Sequence, residues 1–211
     1  MSLDGYNITK PQDLEGKKLG DQSGATTSIL FETYAKLAKF DPGKVEILQT
    51  DSGSLAGALG AHQVDAIGQF VVGKPLIEKA AGGKTAVALP FSDVMPDLYG
   101  NFLVTSDKTV TENPELAKKF TAALIKGLDY AIENPDEAGQ ILSKAQPETD
   151  AGVAAQELKI MATYARGEAD ALGVIDPERV AKVITLLAEA EAIPAGQKPE
   201  NFVQLDLTPK A

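Results

Sequence analysis

Lys18-Leu19-Gly20-Asp21-Gln22-Ser23-Gly24-Ala25-Thr26-Thr27-Ser28 reads as a short strand that enters a hydroxyl-rich turn with a glycine and leaves it as a helix. Beyond the turn, Ile29, Leu30, Tyr34, Leu37 and Ala38 recur near the 3.6-residue period, which predicts a helix from Thr26 to Phe40, and Asp41-Pro42-Gly43 stops it. The same alternation continues outward. Val45–Leu48, Val64–Ile67 and Thr85–Leu89 are short apolar runs of strand type, separated by helical stretches over 54–62 and 74–81 and punctuated by Gly82-Gly83 and Pro90. Strands joined by crossover helices make an α/β protein with a largely parallel, doubly wound sheet, and such sheets bind ligands outside the carboxyl ends of their strands.

Past residue 98 the pattern changes. Leu98–Val104 reads as one more strand, and the rest as helix after helix. Asn113-Pro114-Glu115, Asn134-Pro135-Asp136 and Asp176-Pro177-Glu178 each place a capping side chain, a proline at the first helical position and an acid near the positive helix end. Leu116, Phe120, Leu124 and Leu128 form one apolar stripe, Ala154, Leu158, Met161 and Ala165 a second, and Val180, Val183, Ile184 and Leu187 a third. Each stripe needs an apolar surface opposite it, and this half has too few strands to supply a sheet of its own.

Composition narrows the function classes. With 44% apolar and 24% charged residues in 211, the chain is ordinary globular material, enough for one large or two small lobes. Its net charge of -10 is the wrong sign for a polyphosphate backbone, so nucleic acid is not an expected partner. The chain has no Cys and a single His, which removes thiolate nucleophiles, cysteine-ligated zinc and every site built on two histidines, and no metal or cofactor is expected. No run reaches the roughly 18 to 20 apolar residues of a membrane helix. Met1-Ser2-Leu3-Asp4-Gly5 has neither a basic nor an apolar leader region and reads as the start of a trimmed chain.

Several chemical motifs fail on spacing. Glu15-Gly16-Lys17-Lys18 lacks the upstream glycine and trailing hydroxyl of a phosphate loop, Gly53, Gly57 and Gly60 miss the dinucleotide spacing, and no Gly-x-Ser-x-Gly elbow accompanies His62, which reads as a solvated residue at a helix end. Two features survive. In the turn, Gly24 allows close backbone approach, and the hydroxyls of Ser23, Thr26 and Thr27, with the first helix amides around Ala25, suit an anionic or carbonyl oxygen; an ordinary turn capped by a Ser or Thr side chain fits the same residues. Gln69 and Phe70, where the 64–67 strand ends, offer a carboxamide and an apolar face to a small polar or heteroaromatic ligand, and equally suit a surface Gln beside a core Phe. Tyr99 and Asn101 either face a cleft or are plain strand residues.

The ordered series Ile8-Thr9-Lys10-Pro11-Gln12-Asp13-Leu14-Glu15-Gly16-Lys17-Lys18-Leu19-Gly20, Ser23 to Ser28, Gln63-Val64-Asp65-Ala66 and Asn113-Pro114-Glu115-Leu116 through Tyr130-Ala131 resembles the substrate-binding proteins of bacterial ABC importers, in the family serving nitrate, sulfonate, taurine and thiamine-pyrimidine precursors. The resemblance implies a periplasmic-binding-protein type II-like fold. One α/β lobe spans residues 8–98 with the ligand-contacting turn, and 99–211 form a hinge strand and the C-terminal helices of a second lobe whose N-terminal part is absent from this chain. It further implies a small-molecule solute held between two lobes, membrane permease subunits as partners, an extracytoplasmic location for the full-length protein and no catalysis. The ligand set so implied is Ser23, Gly24, Ala25, Thr26, Thr27, Gln69, Phe70, Tyr99 and Asn101. No Arg occurs in the first 105 residues, so this lobe brings no guanidinium clamp to an anion. A pyrimidine-precursor synthase of the same superfamily needs a cysteine-rich iron site that this composition lacks; the effector domain of a transcription regulator shares the two-lobed architecture.

Overall fold

The computed structural model describes residues 1–166 and 171–208, which fall into two compact units: Met1–Leu98 with Thr185–Ala195, and Tyr99–Ile184 with Gly196–Ala211.

In the first unit, β1 (Ser2–Leu3), β2 (Lys18–Asp21), β3 (Glu46–Gln49), β4 (Ala66–Ile67) and β5 (Ala86–Val87) form one sheet in the order β3-β2-β4-β1-β5. β2 pairs in parallel with β3 and with β4, in the register Leu19↔Ala66 and Gly20↔Ile67, while β1 runs antiparallel to both β4 and β5. Four strands therefore share one direction, and β1 is the exception. The fold starts earlier than the expected Ile8: the Met1–Gly5 stretch, read as a leader, supplies a strand from inside the sheet, with Ser2 and Leu3 buried. Two residues carry too little periodicity to announce a strand.

Helices α1 (Thr26–Ala38), α2 (Leu55–Gly60) and α3 (Lys74–Ala80) connect the parallel strands. Successive strand residues point to opposite faces, and the core divides accordingly. Leu19 and Ala66 join Phe31, Tyr34, Ala35 and Phe40 in one cluster, and Ile67 and Ala86 join Leu55, Leu59 and Ile77 in another. The sheet is thus covered on both faces, as a doubly wound sheet requires. Gly20 lets α2 come close, since a Cβ there would lie 3.3 Å from Leu55 and Val64 side-chain carbons. Leu186, from the later stretch of this unit, packs on the Tyr34 cluster, where burial and then the Asp93 charge push the Tyr34 phenol up to about 12.

The second unit is helical, with no strand among its described residues: α4 (Asp107–Glu112), α5 (Pro114–Glu133), α6 (Pro135–Ala145), α7 (Ala151–Ala165) and α8 (Pro177–Glu189), whose last turns from Thr185 belong to the first unit. The expected Leu98–Val104 strand does not form; Val104 is 83% exposed, and an extended run makes a strand only where another edge pairs with it. All three proline starts hold, but their caps differ. The Asp176 carboxylate accepts from Glu178 N (2.9 Å), whereas Asn113 and Asn134 make no side-chain cap, and Asn134 Nδ2 donates backwards to Tyr130 O (3.0 Å). Helices α6 and α7 meet at Gly139, where a Cβ would run into the Ala151 carbonyl oxygen and lie 3.2 Å from Ala155 N. Arg166 ties α7 to α5 through Asp129 (2.5 Å) and Glu133 (3.7 Å). Of the α5 stripe, Leu128 is half-buried, while Leu116, Phe120 and Leu124 are 60%, 58% and 47% exposed.

Candidate functional site at the carboxyl edge of the sheet

Strands β2 and β4 are neighbours, so the segments that leave their carboxyl ends start side by side. The ladder runs one bond past the strands, with Gly68 N donating to Gly20 O (3.0 Å). From β2 the chain enters Gln22–Ala25, with Gly24 at φ +77°, a left-handed conformation that glycine adopts without strain. From β4 it enters Gly68-Gln69-Phe70.

Asp21 joins the two. Its carboxylate is 2% exposed and accepts the Thr27 hydroxyl, with both oxygens 2.7 Å away, and Gln22 N at 2.9 Å. Asp21 O accepts Thr50 N (2.9 Å), which fastens the Thr50–Ser54 turn after β3 to the other flank. Among the described residues no Lys or Arg side chain pairs with Asp21; its charge is felt by the Met1 amine, which burial draws down to about 6 and Asp21 partly restores. Gly68 lies against this junction. A Cβ on it would overlap the Asp21 carboxylate and stand 2.5 Å from Thr27 Oγ1.

The turn is not capped by a hydroxyl. The N-cap of α1 is Ala25, with no side-chain acceptor, so the amides of Thr26, Thr27 and Ser28 have no acceptor among the described residues. These are orphan donors at the positive end of a thirteen-residue helix. Ser23 and Thr26 are exposed, and their hydroxyls make no hydrogen bond among the described residues. The Thr27 proton is committed to Asp21, and Ser28 Oγ donates to Ala25 O (2.8 Å). Thr27 therefore offers its amide and not its hydroxyl proton. Gln69 Oε1 accepts Phe70 N (2.8 Å), leaving its NH2 group as donor, and the Phe70 ring is 53% exposed.

The structure brings Ser23–Thr27 and Gly68–Phe70 to one edge. Tyr99 and Asn101 lie in the second unit, where the Arg179 guanidinium stands 4.0 Å over the Tyr99 ring, Tyr99 Oη accepts Asp176 N (3.2 Å), and Asn101 is exposed. The lone histidine is at the opposite edge. His62 stacks on Tyr6 (ring centroids 3.9 Å apart) and bonds Asp65 (3.1 Å) beside the start of β2. Burial raises the Asp65 carboxyl, but Lys18 N, His62 and Lys17 together hold it below the ordinary carboxylate range. Sequence reasoning missed Asp21 as the tie between the loops, and it missed the Thr50–Ser54 turn; the hydroxyls of Thr50, Ser52 and Ser54 directly after a strand were the available signal.

By fold, the chain is a periplasmic-binding-protein type II-like α/β protein. Among solved structures it is similar to the periplasmic aliphatic sulphonate binding protein SsuA from Escherichia coli, with a TM-score of 0.74 at 15% identity over 98% of this chain and 68% of that one. Residues 1–138 match the family model described as NMT1/THI5 like, and the chain belongs to that family. A provisionally named binding protein of Brucella abortus is 27% identical over 133 residues, 63% of this chain and 41% of its own. The formylaminopyrimidine-binding protein of Halalkalibacterium halodurans is 24% identical over 151 residues, 71% of this chain and 46% of its own. The chain thus spans under half the length of these curated relatives.

Proposed function

We propose that the chain is the ligand-contacting part of an extracytoplasmic solute-binding component of an ABC importer, which captures a small anionic or heteroaromatic solute, such as a sulfonate, a nitrate-like ion or a pyrimidine, without breaking bonds. The observation that carries this reading is the uncapped start of α1: three unpaired amides open at the carboxyl edge of a parallel sheet beside the end of β4. Oxygen acceptors of the solute meet the Thr26, Thr27 and Ser28 amides and the Ser23 and Thr26 hydroxyls. Gln69 adds two N–H donors, and Phe70 an apolar face. The Asp21 carboxylate holds the helix start in place by accepting from the Thr27 hydroxyl and Gln22 N.

The names of the relatives support a binding role. The exposed residues of the α5 stripe, and the coverage of 68% of the length of a neighbour such as SsuA, support a longer working protein. The permease subunits of the importer are the proposed partners. No described helix is long and apolar enough to cross a membrane.

The test is a thermal-shift screen of the full-length gene product against taurine, nitrate and a formylaminopyrimidine. A solute at a hundred times its Kd stabilises by about 2.7 kcal/mol, which raises the midpoint by roughly 5–10 °C in a protein of this size. A rise of that order with one of the three is expected. No shift with any of them overturns the assigned solute classes.

A further inference from the structure

The α7 stripe, Ala154, Leu158 and Met161, does not close against its neighbours. It forms one wall of a cleft of about 310 Å³ between α5, α6 and α7, with Ala131 from α5 and Ala138 and Leu142 from α6 opposite. Small side chains at 131, 138 and 154 leave the space. The lining is apolar except for Glu157, which sits three residues after Ala154 and four before Met161 and so shares their face of the helix.

We propose that this cleft is a second ligand site, taking the ammonium group of a small aliphatic amine at Glu157 with the hydrocarbon body against Ala138, Leu142 and Met161. This goes beyond the reading of the α1 site and is independent of it.

Glu157 is half-buried and makes no hydrogen bond or ion pair among the described residues. The cations on its own helix are engaged elsewhere: Lys159 with Asp136 on α6 (3.0 Å), and Arg166 with Asp129 and Glu133 on α5. Burial alone pushes its carboxyl above the ordinary glutamate value. A carboxylate in an apolar cleft is costly unless a positive charge meets it, and a partly desolvated pair is stronger than one in open water. An aliphatic ammonium supplies that charge and buries its chain on the Ala, Leu and Met walls. A carboxylate of the same length is repelled, and an alcohol gains only the apolar contact. The volume is at the lower limit of small-molecule pockets, about 300–1,000 Å³, so the ligand is a short one.

The probe is n-pentylammonium, titrated into the full-length protein by calorimetry beside n-pentanol, with the Glu157 side-chain carboxyl followed by NMR. Saturable binding is expected at a Kd on the order of 1 mM, with the alcohol at least tenfold weaker. The Glu157 carboxyl is expected to titrate at lower pH when the amine is bound. Glu157→Gln abolishes the preference for the amine and leaves pentanol binding unchanged. Ala131→Leu, which fills the cleft, abolishes binding of both probes while far-UV circular dichroism stays native. Equal binding of amine and alcohol, a preference that survives E157Q, undiminished binding in a natively folded A131L, or no saturation by about 10 mM overturns the proposal.

Discussion

Thr26→Pro is expected to leave the protein folded and to cost it at least a factor of ten in solute affinity. Thr26 is the first residue of α1, where its N–H has no intrahelical role and where proline's fixed φ suits the helix. The residue before a proline must be extended, and Ala25 already is, at φ -67° and ψ 154°. The substitution therefore deletes one open amide without disturbing the helix behind it, and unfolding free energy should move by no more than about 0.5 kcal/mol. A hydrogen bond to a charged or strongly polar ligand is worth about 1.5–3 kcal/mol, roughly ten- to a hundredfold in Kd. Thr26→Ala keeps the amide, loses the hydroxyl and should lose less. Calorimetric titration of full-length protein with the solute found in the screen, paired with urea unfolding, checks both halves. Affinity that T26P leaves intact removes the Thr26 amide from the site.

Gly68→Ala is expected to produce the largest loss of stability of any single methyl added to the first unit. The backbone there has an ordinary φ, so space and not conformation demands glycine. The added carbon would collide with a buried carboxylate on the adjacent strand and with the hydroxyl bonded to it. Relief requires either that β4 withdraw from β2 or that the Asp21–Thr27 bond break. Overpacking costs about 1–3 kcal/mol, and opening a buried charge-assisted hydrogen bond adds to it. Urea unfolding should show a loss of about 3 kcal/mol, with weakened solute binding because Thr27 carries the start of α1 with it. A variant within about 0.5 kcal/mol of wild type would mean that Gly68 does not press on Asp21 and Thr27.

Much of this arrangement is legible in the sequence. The strand–turn–helix at 18–40 was readable because one apolar face repeats over thirteen helical residues, and the β4 segment because Val64, Ala66 and Ile67 are bounded by polar residues. Their adjacency follows from the parallel grammar. The strand β1 was invisible, since two residues have no period, and its place is set by the edges it bridges. The extended 98–104 segment has strand composition, yet strand formation depends on a partner that local sequence does not encode. Helix starts were readable at three prolines, but at two of them the Asn side chain stays out of the cap. At the site itself, the Ser/Thr-rich turn announced donors and left open which were spent. Thr27 is spent on Asp21, while Ala25 in the cap position leaves the amides unspent, and neither follows from residue type alone.

The central claim is that a solute docks on the open amides of α1 beside the end of β4. Amide-resolved NMR of the isotopically labelled full-length protein, titrated with the solute identified by thermal shift, tests it most directly. The backbone amides of Thr26, Thr27 and Ser28 and the side-chain NH2 of Gln69 should move together along one binding curve. If those four signals stay fixed at saturation while the responding residues cluster elsewhere, the α1 site is not where this protein holds its ligand.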